Sequence, residues 1–102
     1  MAIEMKNVGE AFHPSIFIAD ELEARGWSLD DLAQRMPGDF GVNRLALDFY
    51  MTIGAETPTM RLGESAAGIA AAFDVSPELF LNLEKAWVEH PTTKAMALKE
   101  LN

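Results

Sequence analysis

His13-Pro14, an apolar stripe at Phe17, Ile18 and Leu22, and then Glu23-Ala24-Arg25-Gly26-Trp27-Ser28-Leu29-Asp30-Asp31-Leu32-Ala33 form the stretch that decides the fold. Pro14 suits a first helical position, where its missing N–H would have no intrahelical partner anyway. Phe17, Ile18 and Leu22, flanked by Ile16, recur at helical spacing, while Asp20, Glu21 and Glu23 fall on the opposite face. Gly26 is the expected stop, because a helix commonly ends in a left-handed residue that glycine adopts without strain. Ser28 then reads as an N-cap, with Asp31 three residues on in place of the usual capping-box glutamate. Asp30 and Asp31 both lie at the positive end of the new helix. Leu32, Ala33 and Met36 form its buried side, and Pro37-Gly38-Asp39 ends it.

Outward from there the pattern stays helical. A third helix is predicted from near Val42 to about Ile53, with Leu47, Tyr50 and Met51 at helical spacing and Gly54 closing it. Residues 55–63 read as a loop, marked by Thr57-Pro58-Thr59 and Gly63. A fourth helix, about Glu64 to Phe73, is rich in alanine and glycine and so permits close approach of another helix. Ser76-Pro77-Glu78 combines an N-cap, a proline at the first position and an acid in the first turn, the cleanest start signal in the chain. The fifth helix carries Leu79, Phe80, Leu83 and Trp87 and ends near Glu89. His90-Pro91 reads as its break, and Thr92 or Thr93 as the cap of a short last helix over 94–101. With no alternating strand pattern, the fold class is all-α, five helices plus a C-terminal one. Residues 1–11 read as a flexible arm, 12–89 as the domain and 90–102 as a tail.

A chain of 102 residues, 49% of them apolar, holds one domain and one core. No apolar run reaches the roughly 18–20 residues of a membrane span, and Met1 to Lys6 lacks the basic and apolar regions of a secretory signal. The expected location is the cytoplasm, with no membrane partner. There is no cysteine, which excludes disulfides and thiolate chemistry. The net charge is −8. Phosphate binding draws its affinity from clustered Lys and Arg, so an acidic chain with scattered basic residues is poorly suited to bind DNA alone. A local basic face survives on such a body most easily in a dimer.

The ordered set His13-Pro14, Arg25-Gly26-Trp27-Ser28, Leu32-Ala33, Ala72-Phe73 and Ser76 to Leu83 resembles the HigA/VapI type of antidote protein, a branch of the lambda-repressor-like (Xre, Cro-type) helix-turn-helix family. The likeness covers about residues 12–88. It implies a five-helix lambda-repressor-like domain, a bacterial or phage homodimer that binds operator DNA as a transcriptional regulator, and often pairing with a basic toxin. In that family the second helix crosses the DNA backbone and the third enters the major groove. The matching positions here run from Gly41 to Asp48. The departures also fall on this side. Leu29 replaces the usual glutamine, Leu45 and Asp48 replace polar or basic residues, and two connections, 37–41 and 55–63, are enlarged.

The resemblance gives Asn43, Arg44, Asp48 and Arg61 as the DNA-contacting candidates. Asparagine pairs with adenine, arginine with guanine, and a carboxylate accepts from cytosine. Their structural alternative is a solvated helix start. Leu79, Phe80, Leu83 and Trp87 are expected to form a dimer or partner interface, or to cap the core. Phe40, Leu45 and Phe49 either form an apolar patch for a protein partner or lie beneath the enlarged loops, and Phe40 is read as covered. A degenerate domain that keeps the fold as a protein-binding module is therefore the alternative function. His13 and His90 are far apart in sequence and no acids stand at ligand spacing, so no metal and no cofactor is expected. No catalytic constellation is visible, and the chain does not read as an enzyme.

Overall fold

A computed structural model of the protein describes residues 11–101, and every regular element in that span is helical. The expected arm over 1–11 lies outside the described residues except for Ala11. The helices are α1 (Pro14–Arg25), α2 (Leu29–Arg35), α3 (Phe40–Ile53), α4 (Ser65–Phe73), α5 (Pro77–Glu89) and α6 (Pro91–Leu101), with a 3-10 turn at Gly54–Glu56 after α3. No helix among the described residues is long and apolar enough to cross a membrane.

The local signals explain the boundaries. Gly26 ends α1 at φ +68°. Ser28 and Asp31 form a reciprocal capping box: the Ser28 hydroxyl accepts from the Asp31 amide at 3.1 Å, and Asp31 Oδ2 accepts from the Ser28 amide at 2.8 Å. Those bonds hold the Asp31 carboxyl below its usual pKa. Ser76 accepts from the Glu78 amide to start α5. Ile18, Leu32, Ile69, Phe73 and Phe80 meet at the centre of one core, with almost no exposure. Gly68 supplies the close approach expected of the small-residue helix. A Cβ there would stand 3.3 Å from Met36 Cε and 3.6 Å from Pro37 Cδ, so the end of α2 rests directly on α4.

Three boundary expectations are corrected. The third helix starts at Phe40, because the Asp39 side chain accepts from the Val42 amide at 2.9 Å and caps it. The connection before it is thus shorter than 37–41, and Phe40 opens a helix instead of lying under a loop; it is 42% exposed. The second connection, 55–63, is shortened at its start by the 3-10 turn. The last helix starts at Pro91, not beyond Thr93. His90 Nδ1 accepts from the Thr92 amide at 3.2 Å, and Thr93, in the first turn of α6, is buried.

Candidate functional site

α3 has two faces of opposite character. Its inner face carries Leu47 and Tyr50, both buried. The Tyr50 hydroxyl donates to Glu84 Oε2 of α5 at 2.9 Å, and the Leu62 amide donates to the same oxygen at 2.8 Å. One carboxylate, 6% exposed, thus joins α3, α5 and the segment leading to α4. Burial first, and then the Glu84 charge, push the Tyr50 phenol pKa far above its ordinary value. His13 sits beside this pair at 3% exposure, its ring 4.7 Å from the rings of both Tyr50 and Trp87. Its Nδ1 accepts from the Ser15 amide at 3.2 Å and lies 2.8 Å from Ser15 Oγ. The proton of the neutral ring therefore sits on Nε2, which is buried without a hydrogen-bond partner. Desolvation lowers the His13 pKa to about 4.

The outer face is apolar and, among the described residues, uncovered. Val42, Leu45, Phe49 and Ile53 recur at steps of three, four and four, which places them on one side of a 3.6-residue helix. Their exposure runs from 37% at Ile53 to 66% at Val42, and exposed Ala46 lies among them. Eleven rises make the stripe roughly 16 Å long. Along one edge the stripe opens into a cavity of about 210 Å³ lined by Ala46, Phe49, Tyr50, Met60, Leu62 and Ile69, with Arg61 and Ser65 also in its wall. That is smaller than the roughly 300–1,000 Å³ of small-molecule sites. Contiguous apolar patches larger than a few hundred Å² are uncommon on monomeric proteins and often functional.

The DNA-contacting candidates are tied to the chain itself. Arg44 Nε donates to Asp30 Oδ1 of α2 at 2.6 Å, and its Nη1 lies 2.6 Å from Asp48 Oδ1. Hydrogen bonding to Asp48, then to Asp30, raises the arginine pKa further. Asn43 Nδ2 donates to the Pro37 carbonyl at 3.1 Å and holds the turn before α3. Arg61 donates to the carbonyls of Pro58 and Met60. Arg44, Asn43 and Asp48 stand together on α3; Arg61 is on the loop across the cavity. The other two arginines are engaged as well. Arg35 lies 4.2 Å from the Trp27 ring centroid, and Arg25 pairs with Glu21 and donates to the Phe73 carbonyl. Residues 28–64 hold six acids and three arginines, a balance of −3.

The expected interface on the fifth helix divides. Phe80 is fully buried against Phe17 and Phe73, and Trp87 against His13. Both are buried within the chain, the core-packing alternative of the sequence expectation. Leu79 and Leu83 are half-buried. Sequence reading passed over Glu84, whose burial no local pattern signals, and Asp30, whose partner lies fourteen residues away. Among the described residues, no three His, Cys, Asp or Glu side chains converge to hold a metal. Comparison with protein-family models, curated proteins and solved structures finds no match to this chain.

Proposed function

We propose that the chain is a protein-binding module on a degenerate helix-turn-helix scaffold, docking its partner on the outer face of α3. The observation that carries this reading is the bare stripe Val42, Leu45, Phe49 and Ile53 on the helix that reads bases in the family the sequence resembles. A base-reading helix offers donors and acceptors to the groove. This one offers branched and aromatic side chains, and its arginine is neutralised by two carboxylates. The test is crosslinking in the native cell with identification of the partner by mass spectrometry, comparing wild type with Leu45→Glu and Phe49→Glu. A partner crosslinked through α3 and lost in both variants supports the module. A partner retained by both overturns it.

A second reading is an operator-binding regulator of antitoxin type acting as a dimer. One feature favours it: α2 and α3 pack on each other more extensively than any other helix pair and are joined by a short turn, as in a helix-turn-helix unit. A gel shift at low salt with the DNA upstream of the gene decides. A specific shift that Arg44→Ala abolishes establishes this reading over the first; no shift removes it.

A further inference from the structure

We propose that the partner presents a basic amphipathic helix to α3, a reading that rests on the protein-docking function above and names its ligand class. Three features of the surface converge on this occupant. The stripe is straight, roughly 16 Å long and one helix wide, so a partner helix of about three turns with apolar residues at i, i+3 or i+4, and i+7 matches it along its length. The cavity beside Phe49, lined by Met60, Leu62 and Ile69, receives larger apolar side chains from the same partner face.

The charge around the stripe selects the sign of the partner. Asp48 stands between Leu45 and Phe49 in sequence and projects along one flank, with Asp30 of α2 beside it through Arg44. Asp39 caps the start of the stripe, and Glu56 follows its end. Against these four acids stand Arg44 and Arg61, which leaves the rim at −2. Arg61 is bonded to backbone carbonyls, and Arg44 is shared between Asp30 and Asp48, whose side chains remain 62% and 54% exposed against 31% for the arginine. Lys and Arg on the flanks of an incoming helix meet these carboxylates, and acids there are repelled. A second copy of the chain is a poorer occupant, because it brings the same acidic rim and a charge of −8 to the same seam.

The test uses the full chain and two labelled helical peptides of equal length. Both carry one leucine stripe; one has Lys and Arg on its flanks and the other Glu. Fluorescence anisotropy should give the basic peptide roughly tenfold or greater preference at low salt, shrinking as salt rises. Amide shifts in the NMR spectrum should map to residues 42–53 and 60–65. Leu45→Glu should abolish binding, and Asp48→Asn with Glu56→Lys should erode the preference severalfold. Equal or tighter binding of the acidic peptide, still lost in Leu45→Glu, overturns the basic partner while leaving the docking face intact. Binding that Leu45→Glu leaves unchanged, or displacement of the peptide by duplex DNA, overturns the docking reading itself. Binding of neither peptide, or sedimentation showing self-association that Leu45→Glu dissolves, overturns the basic-helix occupant.

Discussion

The two faces of α3 reverse the ordinary distribution of residues. The inner face buries a phenol, a carboxylate and an imidazole between aromatic rings, whereas the outer face leaves valine, leucine, phenylalanine and isoleucine in water. Burying polar groups is tolerated where they find partners: Glu84 Oε2 accepts two donors, while His13 Nε2 is left without one and the ring stays neutral. Exposing a row of apolar groups brings no folding benefit. If the outer face docks a partner as proposed, the inner face serves stability and the outer face recognition, and substitutions on the two should separate cleanly.

The sharpest way to break that division is at Glu84. Glu84→Ala strands the Tyr50 hydroxyl and the Leu62 amide and opens a void, and is expected to destabilise by about 2–4 kcal/mol in urea unfolding. A loss below ~1 kcal/mol would show that water replaces the carboxylate and that the inner face is not the structural one. Next is acid. His13 has a folded pKa of about 4, below its unfolded value, so the unfolded chain binds the extra proton first. Stability from this group is whole at neutral pH and falls as pH drops through the window between the two values. The expected loss by pH 5 is about 2 kcal/mol relative to neutrality. His13→Asn keeps an N-cap acceptor and should flatten that part of the pH profile; an unchanged slope assigns it to other groups.

Gly54→Ala probes the same wall from the other side. Its Cβ would meet His13 Cε1 at 2.8 Å and Nε2 at 3.1 Å, ring atoms with little room to yield. We expect a loss of about 1–2 kcal/mol, read as a lowered melting temperature. The smallest effect on folding belongs to the outer face. Leu45→Glu and Phe49→Glu should each change stability by no more than about 0.5 kcal/mol while removing partner binding. If either unfolds the protein, the stripe is part of the core and the contrast fails.

Much of the fold was legible because its punctuation is local. Gly26, the Ser28–Asp31 box and Ser76-Pro77 each act within a few residues, and each does what its chemistry dictates. In sequence Pro37-Gly38-Asp39 is a terminator, although an aspartate before a helical run is also an N-cap; α3 therefore starts earlier than the sequence predicts. His90-Pro91 was read as a break, yet it repeats His13-Pro14, and both histidines have nearly the same backbone angles, φ −63° and ψ 138° at His13 and φ −66° and ψ 139° at His90. Both accept an amide two residues on through Nδ1. The candidate site was only half legible. Leu45 and Phe49 fit either burial or exposure in sequence, because nothing within a single helix decides which of its apolar flanks meets the core. Arg44 reads as a free cation in sequence, because its clamp at Asp30 comes from another helix.

Glu84 also reaches the surface indirectly. By gripping the Leu62 amide it fixes the far wall of the cavity beside Phe49 before any visitor arrives. A receptor shaped in advance spares its ligand the ordering of a loop. Encounter with the proposed partner would then need no refolding of the host, and the lifetime of that complex would be governed by how well the guest fills a mould already set.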